Sequence, residues 1–224
     1  MPSTPAPGRP LAVRDGLTVP YVTLWSGERH ISLTDLWLHN GGLRYADEGP
    51  WDRDARRGLW ERWEGGYGDG EPLWRSVHSE RQRTAMEHLL CQVCAHPAAR
   101  TNKGTLFLVP GGSATASHLE ETRTSQPPLC LPHALIARTQ CPRLRRSHTA
   151  LRARKTSLWG LHGIAYVARP RPSQRPTNSL VVDQACSVAY GTPELTYVLG
   201  SQLIRELRRI TVVDLDEEAA RLGI

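Results

Sequence analysis

Two short pairs of metal-type ligands constrain this chain more than any other feature. Cys91-Gln-Val-Cys94 is a C-x2-C pair, and Cys130-Leu-Pro-His133 is a C-x2-H pair further along. Together they offer four soft or borderline donors, the number tetrahedral zinc takes. The five cysteines, Cys91, Cys94, Cys130, Cys141 and Cys186, are an odd set, and the start MPSTPAPGRPLAVRDG has no apolar leader. A disulfide framework is therefore disfavoured. A redox C-x2-C belongs at a strand–helix junction, whereas here a helical pattern over 79–90 precedes the pair and Pro97 follows it. Cys130 and His133 open a second helical pattern after Pro127 and Pro128. Residues i and i+3 share a face there, and the positive helix end favours thiolate at Cys130. The expectation is one structural Zn2+ bound by Cys91, Cys94, Cys130 and His133, because four protein ligands close the site. Cys141 is the substitute fourth ligand. It lies three turns on, roughly the same face but ~16 Å away unless the helix ends early. His88 and His96 fall near the first pair and read as supporting or surface groups, and Cys186 reads as a small buried hydrophobe.

The order knuckle, strand with a Gly-Gly turn, then helix resembles a treble-clef zinc finger over about residues 91–141, with 111–127 as an extended loop. The string LCQVC…PPLCLPHA…CP is also similar to uncharacterised proteins of high-GC bacteria and their phages. That resemblance implies an accessory protein of such a system and supplies no activity.

Charge is segregated. The chain carries 28 Lys+Arg against 22 Asp+Glu, a net +6. Between Glu121 and Asp183 there is no carboxylate, yet that stretch holds Arg123, Arg138, Arg143, Arg145, Arg146, Arg152, Arg154, Lys155, Arg169, Arg171 and Arg175. A one-signed run repels itself unless an anionic partner or the protein's own acidic part disperses it. Nucleic acid is the commonest partner of this kind. Nearly all the cations are arginine, whose planar fork suits phosphate oxygens. GC-rich coding also raises arginine over lysine, but it does not set where the charges sit.

The spacing of apolar residues predicts an α+β fold, a small antiparallel sheet with packed helices and the zinc site embedded. Residues 1–12 read as a disordered Pro-rich tail, 13–78 as a Trp-rich acidic N-terminal part, 79–155 as the zinc module with a basic extension, and 156–224 as a C-terminal α+β part. Helices are predicted for SLTDLWLHN, for WDRDARRGLWERWEGG, for Ser79–Leu90 with a Ser79/Gln82 capping box, for 128–140 and for a last turn capped by Asp216. The clearest is Pro193–Ile210, where Leu195, Val198, Leu199, Leu203, Leu207 and Ile210 recur at helical spacing. Strands are predicted for 19–25, 105–110, 157–168, 178–190 and 211–215, and RPRPSQRPTN reads as a loop.

No catalytic signature is present: no G-x-S-x-G, H-E-x-x-H, P-loop or G-x-G-x-x-G. His148 among arginines invites comparison with treble-clef nucleases, but those need carboxylate or Asn/His partners, and 122–182 has no carboxylate. No apolar run approaches the ~20 residues of a membrane helix, so a cytoplasmic protein is expected. The functional expectation is a zinc-stabilised nucleic-acid-binding protein, a regulator or accessory factor of a DNA transaction. Arg143, Arg145, Arg146, Arg152, Arg154 and Lys155 would contact phosphates. Two alternatives stand beside it. One is a protein-interaction module that uses the Trp-rich N-terminal part, since Trp is enriched at interface centres. The other is an enzyme whose site leaves no motif.

Overall fold

The computed structural model describes residues 11–31, 35–39, 41–112, 115–168 and 180–224. Its N-terminal part is built from short strands: β1 (Val13–Arg14), β2 (Leu17–Thr18), β3 (Thr23–Trp25), β4 (Arg29–His30), β5 (Leu36–His39), β6 (Gly42–Tyr45), β7 (Leu59–Trp60), β8 (Trp63–Glu64) and β9 (Pro72–Val77). Four antiparallel pairs form among them, β1 with β2, β3 with β9, β4 with β8 and β5 with β6. The remainder runs α1 (Ser79–His88), β10 (Arg100–Thr101), β11 (Gly104–Pro110), α2 (Ala116–Leu119), β12 (Thr122–Thr124), α3 (Leu131–Gln140), α4 (Pro142–Arg146), β13 (His148–Ala168), β14 (Leu180–Ala189), a 3-10 turn (Pro193–Tyr197), β15 (Val198–Val212) and α5 (Leu215–Leu222).

The α+β expectation is overturned. The chain is predominantly β, organised by a seven-stranded sheet of order β10-β11-β13-β15-β12, with β14 added on β13 and β7 added parallel on β15. β13 is its spine. One edge takes β11 along the first half, Thr105 opposite Ala153 and Pro110 opposite His148. The same edge takes β14 along the second half, Gly160 opposite Ala189 and Ile164 opposite Ala185. The other edge pairs with β15 from Leu151–Val212 to Ala165–Val198.

Three predicted helices are strands. Residues 198–212 form β15, and only Pro193–Tyr197 coil as a 3-10 turn. A strand buried on both faces shows an apolar run rather than alternation, and β15 buries Leu203, Ile204, Arg205, Glu206 and Leu207 in succession. Register shifts between Leu158 and Gly160 and between His162 and Gly163 add irregular spacing, so the pattern imitated a 3.6 period. WDRDARRGLWERWEGG contributes β7 and β8, and SLTDLWLHN contributes β5; Ser32, Leu33, Thr34 and Asn40 lie outside the described residues, as do the tail 1–10 and the loop 169–179. The Ser79/Gln82 box does not form. Ser79 Oγ instead accepts a bond from Trp63 Nε1, and Gln82 bonds the backbone of Ser125 and Leu203. Asp214, not Asp216, caps α5, and Gly223 ends it in the left-handed region.

The sheet is covered on both faces around β11. Leu106, Leu108 and Ala150 face a core completed by Leu129, Leu131, Ala134, Leu144 and Leu215. Phe107, Val109, Leu151 and Ala153 share the other face with Leu207 and Ile210 of β15, and Leu89, Ala116 and Leu119 pack against them. This alternation makes TLFLVP apolar throughout. Among the described residues no helix is long and apolar enough to cross a membrane.

Candidate metal centre

The two ligand pairs are brought together by backbone pairing. Gln92 N–H donates to the Pro128 carbonyl at 3.0 Å, and Ala99 N–H to that of Leu129 at 2.9 Å. From the N-terminal part, Tyr21 and Val22 N–H donate to the carbonyls of Val93 and Gln92. The first pair sits in a tight knuckle: Cys91 N–H donates to the His96 carbonyl at 2.7 Å and Ala95 N–H to that of Cys91 at 2.8 Å. Ala95 closes it at φ 59°, a conformation uncommon for a residue with a Cβ. The second pair opens α3. Cys130 is its N-cap, Pro132 lies in its first turn where no N–H is needed, and His133 follows one position later.

Cys91, Cys94, Cys130 and His133 form one group whose donor atoms all lie within 4.8 Å of one another. Cys130 Sγ is 3.0 Å from His133 Nδ1, Cys91 Sγ is 3.6 Å from the same nitrogen, and Cys94 Sγ is 4.0 Å from Cys130 Sγ. A tetrahedral ion with sulfur bonds of ~2.3 Å spaces its donors by ~3.8 Å, and these separations bracket that figure. All five cysteines are free thiols. The donor set therefore fits a metal ion. Cys141 is not in the group. It caps the far end of α3, and α3 continues unbroken from Leu131 to Gln140, so ~12 Å of helix separates it from His133.

The electrostatics agree with a shared site. Hydrogen bonding from Cys130 and then Cys91 holds the Cys94 thiol far below the usual thiol range. Cys130 is pushed up, chiefly by Cys91 and Cys94 beside it. The Cys91 and Cys94 thiols raise the His133 imidazole to about 9. Three sulfurs and an imidazole that share protons this way face one point, and a cation would displace those protons and take the donor lone pairs. Behind the ligands lies the apolar cluster of Val93, Leu106, Leu129, Leu131 and Ala134, with Cys91 itself fully buried. His88 and His96 are not ligands.

The six cations predicted to meet phosphate separate into three places. Arg143, Arg145 and Arg146 are exposed on α4, the turn that follows α3, while Leu144 anchors it in the core. Arg154 and Lys155 are exposed on β13. None of these five makes an ion pair with a described residue. Arg152 is the correction: it is only 2% exposed. Its guanidinium donates to both Glu218 carboxylate oxygens at 2.7 and 2.6 Å and to the carbonyls of Ala99 and Gly104. It is a buried tie between the hairpin β10–β11 and α5 and cannot reach a phosphate. Arg138 is also neutralised internally, by Asp216, whereas Arg123 is half-exposed and stays 3.6 Å from Glu206, a carboxylate that Arg208 already holds at 2.7 Å.

Comparison of the chain with family models, with curated proteins and with solved structures finds no match. Sequence reasoning missed one further concave region, where Arg123, Ser125, Trp159, His162, Ser187, Gln202 and Ile204 line a cavity on the sheet. Its signal was Gly160 and Gly163 inside a strand pattern, which mark bulges or close backbone approach.

Proposed function

We propose that the chain is a nucleic-acid-binding protein whose Cys91/Cys94/Cys130/His133 centre holds a structural Zn2+. Three sulfurs and one imidazole suit zinc, and four protein ligands leave no open position for a substrate. The order of knuckle, hairpin β10–β11 and ligand-bearing helix α3 supports a treble-clef-like reading of this part. In it the metal fixes α3, and α4 leaves the end of α3 as a rigid basic edge.

The observation that carries the reading is the pairing pattern of the acid-free stretch. Arg138 and Arg152 are neutralised by carboxylates of the C-terminal segment, whereas Arg143, Arg145 and Arg146 project together from one short turn with no counter-ion among the described residues. Grouped, unneutralised arginines on a fixed element are suited to phosphate oxygens. Phosphate contacts position a protein without reading sequence, so affinity should be similar across duplexes. The test is titration of duplex DNA against the metal-bound chain at several salt concentrations. Arg145→Ala/Arg146→Ala should lower the log–log salt slope by up to ~2. No measurable affinity at ~50 mM salt would overturn the reading. A protein-interaction role is the second reading, and Trp51 at 74% and Trp74 at 49% exposure favour it.

A further inference from the structure

The cavity on the sheet has a built character. Leu161 and Leu203 pack with Met86 of α1. Side chains alternate along a strand, so the next cross-strand pair, His162 with Gln202, faces away from α1. Ser187 of β14 stands opposite His162 on its other side, giving a polar row of three adjacent strands. His162 Nδ1 lies 3.1 Å from Ser187 Oγ. The Gln202 amide makes no hydrogen bond to a described residue, which leaves a donor and an acceptor together at the mouth. Above the row, Trp159 occupies the bulge of β13, and the Arg123 guanidinium lies 4.1 Å from its ring centroid. The buried Ile204 supplies an apolar floor. The cavity measures about 600 Å3, within the range of small-molecule sites.

The bulges that shape it are fixed. A Cβ at Gly160 would stand 1.9 Å from the Val188 carbonyl oxygen, and one at Gly163 would stand 2.0 Å from that of Leu199. Only glycine lets the strands approach this closely, so Trp159 and His162 are presented by rigid backbone. Among the described lining residues there is no carboxylate, and Arg123 is the one permanently charged group. Glu206 sits 3.6 Å from Arg123 Nε, outside the lining, and holds one side of the guanidinium. The terminal nitrogens make no bond to a described residue.

These features select a ligand with a planar ring, a hydrogen-bonding edge and an anionic group. We propose that the cavity binds a nucleotide unit. The base stacks on the Arg123–Trp159 wall, its edge meets Gln202 and His162, and its phosphate takes the free Arg123 nitrogens. Lack of a lining carboxylate disfavours a neutral sugar, whose hydroxyls need acceptors. The site is separate from α4, since roughly 35 Å of extended strand lies between the start of β13 and Trp159. It does not depend on duplex binding by α4.

The experiment is isothermal titration of the full metal-bound chain with adenosine and uridine 5′-monophosphates, the two nucleosides, ribose 5-phosphate and a mixed-sequence DNA octanucleotide. A nucleotide should bind at least about tenfold tighter than its nucleoside or ribose 5-phosphate. Trp159→Leu and Gln202→Ala should each weaken nucleotide binding at least about fivefold, and Arg123→Gln should erase the advantage of nucleotide over nucleoside. Gln202 is partly exposed on the sheet surface, so Gln202→Ala keeps the test valid if Trp159→Leu misfolds. Arg145→Ala/Arg146→Ala should leave mononucleotide affinity unchanged, which separates this site from the α4 reading. In the Arg145→Ala/Arg146→Ala chain, a stronger response to the octanucleotide that Gln202→Ala weakens identifies nucleic acid as the source of the unit; equal affinity identifies free nucleotide, and either supports the site. No heat from any probe at about 1 mM, ribose 5-phosphate matching the nucleotide, or unaltered affinity in Gln202→Ala would overturn it.

Discussion

The metal layer and the N-terminal part stabilise the same molecule in opposite ways. Around the candidate metal centre, α3, α4 and α5 surround one apolar cluster, and four donor atoms that could hold an ion meet at one point. In residues 11–77, strands of two to six residues cannot support themselves by pairing alone. There the strands pack on the main sheet, Leu36, Leu43, Tyr45 and Leu59 against Tyr166 and Leu199, and buried charge ties them: Arg81 donates to both Glu28 oxygens at 2.5 and 2.8 Å, and Arg62 to both Asp52 oxygens at 2.8 and 2.7 Å. Short ladders can persist where packing on a larger sheet is supplemented by ion pairs and ring contacts. The metal layer should therefore fail at single atoms, and the N-terminal part should respond to single charges and to pH.

The largest effect is expected at the metal. Cys94→Ser should lose the ion and much of the fold of the metal layer, since structural zinc binding contributes on the order of 10 kcal/mol. Elemental analysis with thermal unfolding checks this, and a variant that retains metal and melting temperature would break the contrast. Next is the buried pair. Glu28→Gln leaves Arg81 uncompensated and should cost ~3–5 kcal/mol, read by urea unfolding with metal content unchanged. Loss of metal in Glu28→Gln would show that the two regions are one energetic unit.

The pH response comes third. Burial, then the Arg81 charge, lowers His78 to about 4, and no described residue hydrogen-bonds its Nδ1. Burial raises Glu61 to about 7, against hydrogen bonds from Trp63 and Ser79. Between pH 6.5 and 4 the unfolded chain protonates His78 and the native chain does not, so acidification destabilises. Between pH 7 and 4.5 the native chain keeps a proton on Glu61 that the unfolded chain has released, so acidification stabilises. The two largely cancel in the wild type. Glu61→Gln should unmask the His78 loss as up to ~3 kcal/mol of extra acid destabilisation. Parallel pH curves for variant and wild type would refute the pairing. The smallest effect belongs to the periphery of the metal layer. Cys141→Ser should keep its metal and cost ~1 kcal/mol or less, the range of ordinary substitutions; metal loss there would reassign the fourth ligand.

The same contrast explains what was legible in the sequence. Cys91, Cys94, Cys130 and His133 could be read because ligand chemistry needs fixed residue types at short spacings, and the helices 79–88 and 131–140 that flank them carry local signals. β15 could not be read. Its burial on both faces and the register shifts along β13 removed the alternation by which a strand announces itself. Arg152 looked like its basic neighbours because its partner Glu218 is 66 positions away, and no local rule links them. The sheet cavity was hidden for the same reason, since Arg123, Trp159, Ser187 and Gln202 meet only through pairing of distant strands.

The placement of β11 has a kinetic consequence. Cys94 and Cys130 are 36 positions apart, and β11 lies on the loop they close. Several of the sheet's own contacts are far more distant: β12 sets Arg123 against Glu206, and β13 sets Leu151 against Val212. Entropy of loop closure makes such distant pairings slow. An ion captured early would close the nearer loop first and hand β11, with its hairpin, to the edge of β13 as a preformed template. Stopped-flow refolding should then be faster with metal present from the start than with metal added after a delay, and equal rates would place ion capture after assembly of the sheet.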